Sequence, residues 1–84
     1  MSNMITIRYF AGARAASGVE SEQLAVTGPM PLAEVAGVLG ERHGQALERV
    51  LQASSFLIDE VSGDRGRVVP VGAVVDVLPP FAGG

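Results

Sequence analysis

The stretch AVVDVLP, residues 73–79, decides the fold. Val74 and Val75, then Val77 and Leu78, are apolar at both parities of an extended chain, and only Asp76 interrupts them. A strand with one wet face alternates, whereas a strand apolar on both faces belongs inside a sheet. The last strand is therefore expected to be central, and its neighbours must be sought upstream.

Working back, RVVPV (residues 67–71) reads as a short edge strand, because Pro70 lacks the N–H that a central position needs. SGDRG (62–66) reads as a turn and SSFLID (54–59) as a third strand. At the other end, Ile5, Ile7 and Tyr9 alternate with Thr6 and Arg8, the period of a half-buried strand. AGARAASG (11–18) is either a short helical turn or a loop. ESEQLAV (20–26) gives a second strand with Glu22, Leu24 and Val26 on one side, antiparallel to the first across a wide loop. After the breaker cluster TGPMP (27–31), Leu32, Val35, Ala36 and Leu39 recur on one helical face. Pro31 suits the start of that helix, since its missing N–H would have no partner inside the helix. Gly37 and Gly40 each cost about 1 kcal/mol against alanine, so the helix needs tertiary packing. Gly44 should stop it, with Arg42 and His43 at the negative end of the dipole. A shorter helical piece over residues 45–52 turns Leu47, Val50 and Leu51 inward.

Strand, strand, helix, strand, short strand, strand is the order of an α+β domain. One main helix would lie across one face of a mixed sheet of four to five strands, with the first and last strands side by side. That is the β-grasp, or ubiquitin-like, arrangement. A chain of 84 residues forms a single domain, 1–84, with 79–84 as an extended tail.

Composition removes several functions. Without cysteine there is no disulfide, no thiolate metal site and no side-chain persulfide or thioester. One histidine cannot build a metal cluster, and no metal is expected. All six basic residues are arginine, against nine acids, so the net charge of −3 argues against nucleic acid as a partner. With no lysine, the sequence cannot form lysine-linked chains of itself. No apolar run approaches the ~20 residues of a membrane span, and MSNMITIRYF lacks the basic start of a signal peptide, so a cytoplasmic location is expected.

Most candidate sites have a plain reading. His43 reads as a helix-end cap rather than a general base, because no serine or carboxylate lies at dyad spacing. Asp59, Glu60 and Asp64 read as a solvated turn before a cation site. Gly12 and Gly18 punctuate a loop and lack a phosphate-cradle context. Ser54 and Ser55 raise an acyl-carrier reading, which the strand periodicity disfavours because those carriers are helical bundles. Arg8 and Arg14 offer a small basic patch, and Phe10, Phe56 or Phe81 could anchor a partner on the sheet.

The tail PPFAGG has the stronger claim. Pro79 and Pro80 fix φ and favour an extended stalk. Phe81 is a large apolar residue suited to a partner's pocket. Gly83 and Gly84 have no Cβ, so with Ala82 the tip could thread a channel too narrow for other residues. At its end, the Gly84 carboxylate could be adenylated with ATP and then attacked by a sulfur nucleophile to give a thiocarboxylate. That chemistry needs no catalytic side chain from this protein. Ordering the tail costs about 1–2 kcal/mol per residue, so docking must draw on a wider surface.

RYFAGARAASG (8–18) and VDVLPPFAGG (75–84) together resemble the small subunit of molybdopterin synthase, a β-grasp sulfur carrier. Tyr9, Phe10, Ala11, Arg14 and Gly18 fall on the first pattern, and Leu-Pro-Pro-x-x-Gly-Gly is the more specific second one. The resemblance implies a large catalytic subunit, typically in a heterotetramer, into which residues Pro79–Gly84 insert to donate sulfur to precursor Z. It also implies a ubiquitin-activating-like adenylyltransferase, which uses ATP, and a sulfur donor protein. No cofactor would be bound permanently, and the chain would be no enzyme on its own. Sister carriers for thiamine thiazole or cysteine synthesis, a protein modifier and a plain β-grasp interaction module are the alternatives.

Overall fold

The computed structural model describes residues 3–80. In chain order the elements are β1 (Met4–Tyr9), α1 (Ala11–Ser17), β2 (Ser21–Ala25), β3 (Met30–Pro31), α2 (Leu32–His43), α3 (Gln45–Ala53), β4 (Ser55–Ile58), β5 (Val61–Gly63), β6 (Val68–Val69) and β7 (Val74–Leu78). The main sheet has the order β2-β1-β7-β4-β5. β7 is central, as its two-sided apolar pattern requires. It pairs in parallel with β1, Thr6 opposite Val74 and Tyr9 opposite Val77, and antiparallel with β4, Phe56 opposite Val77. First and last strands are side by side, and the architecture is the α+β β-grasp.

The helices cover one face of this sheet. Ile5, Ile7 and Tyr9 of β1, Val75 and Val77 of β7, and Phe56 and Ile58 of β4 are all at most 3% exposed and meet Leu32, Val35 and Leu39 of α2 and Leu47 and Leu51 of α3. Burying each such side chain is worth roughly 1.5–3 kcal/mol, so this layer holds the fold together. α2 has no side-chain cap. Instead the N–H groups of Leu32 and Ala33 donate to the carbonyls of Arg67 and Arg65 at 2.8 Å, which ties the helix start to the loop before β6. Gly44 ends α2 at φ 98°, a conformation closed to other residues, and donates to the Gly40 carbonyl. Gly40 lets α3 approach closely: a Cβ there would lie 2.5 Å from Cγ of Glu48, whose side chain would have to move aside.

One open reading closes and two local expectations change. AGARAASG forms a helix, α1, ended by Gly18 at φ 80°. RVVPV is no edge of the main sheet: Val68 and Val69 pair with Pro31 and Met30 in a separate two-stranded ladder. The expected turn SGDRG begins later, because Val61–Gly63 form a further strand against β4. The two-residue turn joining β4 to β5 is Asp59-Glu60, both at positive φ (49° and 70°), the geometry of a tight hairpin normally written with glycine or asparagine. Hence the sequence conceals it.

Candidate functional site

The sheet face opposite the helices carries the even-numbered residues of β1 and β7. Its centre is an ion pair. Arg8 Nε donates to Asp76 Oδ1 at 2.6 Å and Arg8 Nη2 to Oδ2 at 2.8 Å, a two-pronged contact that the parallel register of β1 on β7 makes possible. The Asp76 side chain is 7% exposed and that of Arg8 45%. The bond to Asp76, reinforced by its charge, raises the Arg8 pKa, so the guanidinium stays charged. Arg8 also lies over the Phe10 ring, 5.9 Å from its centroid.

Because β7 runs parallel to β1, its end arrives beside Phe10, whose N–H donates to the Val77 carbonyl at 3.3 Å. Here Arg8, Tyr9, Phe10, Arg14 and Glu20 line a groove of about 410 Å³. Phe10 is 41% exposed. Arg14 is joined to Glu20 at 2.8 Å, an exposed pair of small energetic weight. Three of the four expected docking residues, Arg8, Phe10 and Arg14, thus share one region beside the departing β7. The fourth does not. Phe56 points the other way, into the core, at 3% exposure, with Arg65 5.1 Å from its ring centroid. Its parity on β4 matches Ile58, and this assigns it to packing rather than docking. Pro79 is half-buried and Pro80 exposed. Phe81, Ala82, Gly83 and Gly84 lie outside the described residues.

A second polar cluster overturns the expectation for His43. His43 Nε2 meets Glu22 Oε2 at 2.5 Å, the same oxygen accepts from the Tyr9 hydroxyl at 2.5 Å, and Arg42 Nη1 donates to Oε1 at 2.8 Å. A carboxylate partner therefore exists, 21 residues away in sequence. Partial burial pushes the Glu22 carboxyl up, but the hydrogen bonds from Tyr9, Arg42 and His43 outweigh it and hold the group below its ordinary value. Burial, and then the bond to Glu22, raise the Tyr9 pKa. The cluster fastens the end of α2 to β1 and β2. Its signal was present: Glu22 shares the inward side of its strand with Leu24 and Val26, and an inward acid demands partners.

Elsewhere the plain readings suffice. Asp59 Oδ1 accepts from the Val74 N–H at 2.9 Å and Asp64 Oδ1 from the Gly66 N–H at 2.9 Å, so both shape turns. Among the described residues no group of three or more acids and histidines could hold a metal. Ser54 donates to the Val50 carbonyl at 2.6 Å at the end of α3, while Ser55 begins β4. Among the described residues no helix is long and apolar enough to cross a membrane.

The fold is that of the β-grasp, ubiquitin-like domains, and the solved structures similar to it make the class concrete. Small archaeal modifier protein 1 (SAMP1) of Haloferax volcanii superposes with TM-score 0.82 at 21% identity, over 96% of this chain and 99% of that one. Urm1 from Trypanosoma brucei gives 0.76 at 18%, over 99% and 97%. A chain from the complex of subunits 1 and 2 of the molybdopterin-converting factor of Helicobacter pylori gives 0.66 at 23%, over 96% and 99%. No family model and no curated protein matches the sequence.

Proposed function

We propose that this protein is a sulfur carrier, the small subunit of a molybdopterin synthase, whose working group is the Gly84 carboxylate. The observation that carries the reading is the placement of β7: it is bonded on both sides and ends at Leu78 beside the exposed Arg8–Phe10 region, where Pro79 and Pro80 follow. A central strand is a rigid mount for a tail that must enter another protein. An adenylyltransferase would join the carboxylate to AMP from ATP, releasing pyrophosphate. A persulfide on a donor protein would then displace AMP to give an acyl disulfide, and a thiol would cleave its S–S bond, releasing the thiocarboxylate and leaving a disulfide on the thiol side. That sulfur would pass to precursor Z in the active site of a large subunit, docked over Arg8, Phe10 and Arg14. The similarity to a subunit of the Helicobacter pylori complex supports a partner of this kind.

A second reading, attachment to other proteins, is favoured by the likeness to a protein named a modifier. Gly83→Val tests the first. It should abolish sulfur transfer with the thermal midpoint unchanged, and normal transfer would refute threading through a narrow channel. Gly84-linked lysines on other proteins in cell extracts would favour the second.

A further inference from the structure

The two edges of the main sheet are unlike. At the β5 edge, a strand of three residues, Arg67 Nη1 donates to the Ser62 carbonyl at 3.2 Å and covers the outward backbone. The β2 edge has no such cover. Tyr9 N–H donates to the Glu20 carbonyl and Val26 N–H to the Asn3 carbonyl, so in the regular antiparallel register even-numbered residues of β2 bond to β1. The N–H and C=O groups of Ser21, Gln23 and Ala25 therefore point outward. All three residues are exposed, and no hydrogen bond within the described residues reaches these groups beyond those of the ladder itself. Proline, lysine and bulges are absent from the strand, and its inward acid, Glu22, is taken up by Tyr9, Arg42 and His43.

This edge fits a second copy of itself. Antiparallel pairing joins outward residues to outward residues, and the register of greatest overlap sets Gln23 opposite Gln23 and Ser21 opposite Ala25. It uses all three N–H and all three C=O groups of each copy, and it opposes no like charges, because Glu20 faces Val26 and Glu22 faces Leu24. We propose that the protein self-associates through β2 in this two-fold register, extending its sheet across two copies. β2 lies two places from β7 in the sheet, and Glu20 and Ser21 also line the groove beside the β7 end, so the pairing borders one rim of that groove. So narrow an interface belongs with weak, transient associations.

Analytical ultracentrifugation of the full chain from roughly 10 μM to 1 mM tests this, a range that brackets weak dissociation constants. Gln23→Pro deletes an outward N–H the monomer does not use, and Gln23→Lys places two ammonium groups against each other on the two-fold axis. The expected result is a concentration-dependent dimer, amide signals of Ser21, Gln23 and Ala25 that move with concentration, and association weakened about tenfold or more in both variants. A wild-type chain still monomeric at the highest concentration would overturn the proposal. So would a dimer that both variants, confirmed as folded by circular dichroism, leave intact.

Discussion

Arg8 and Asp76, 68 residues apart in sequence, meet through two hydrogen bonds on the face of the sheet that the helices leave uncovered. The relationship is asymmetric, since the carboxylate is buried and the guanidinium is not. Removing either partner should therefore cost different amounts. Arg8→Ala leaves a buried acceptor without its donors, a penalty of about 1–3 kcal/mol, whereas Asp76→Asn leaves an arginine that water satisfies. Urea unfolding of the two variants and their double mutant checks this. Arg8→Ala should be the least stable of the three, and equal losses for both single variants would contradict the asymmetry.

The phenylalanines separate packing from docking. Phe56→Ala should destabilise by about 3–5 kcal/mol, because the ring fills the core against Val77 and its neighbours. Phe10→Ala should shift the unfolding midpoint little, since the ring is already 41% exposed, yet weaken capture by a large subunit about tenfold or more. Calorimetry and a binding titration on the same two variants provide the comparison.

Glu22 gives stability a pH dependence of known sign. Its folded pKa lies below the ordinary 4.5, so the unfolded chain binds the proton more readily and stability falls as pH drops from about 4.5 through the folded value. Above that window the contribution is complete. Glu22→Gln should cost about 1–3 kcal/mol near neutrality. The gap from wild type should then close on acidification, as read from urea midpoints at successive pH values. A gap that stays constant down to pH values well below that window would contradict the assignment.

Glu60 sits at φ 70° in the hairpin turn, where a side chain is strained. Glu60→Gly should raise stability by about 1 kcal/mol, since it removes that strain at a position glycine adopts freely. A lower thermal midpoint would show that Glu60 has a compensating role.

The parts of this fold that were readable in the sequence are those governed by periodicity. Val74–Leu78 declared a central strand by being apolar at both parities, and Leu32–Leu39 declared a helix by spacing. Gly44 ended that helix where its position implied. What escaped was set by contacts far apart in sequence. Met30–Pro31 and Val68–Val69 are too short to show a period, and each is a strand only because the other is present. β5 was hidden behind a turn without glycine or asparagine. At the site, Arg8, Phe10 and Arg14 line one groove, but Phe56 was assigned to the wrong face because its parity against β7 is fixed only by pairing with Val77. His43 looked partnerless for the same reason: Glu22 is a neighbour in space alone.

On the proposed function, the reactive atom belongs to Gly84. Intact-mass analysis of the full chain, after incubation with ATP, a competent adenylyltransferase and a sulfur donor, measures this directly. The expected result is a gain equal to replacement of one oxygen by sulfur, localised to the C-terminal peptide and absent when Gly84 is deleted. An unchanged mass under conditions that load a known carrier, or the same gain in the chain lacking Gly84, would contradict it.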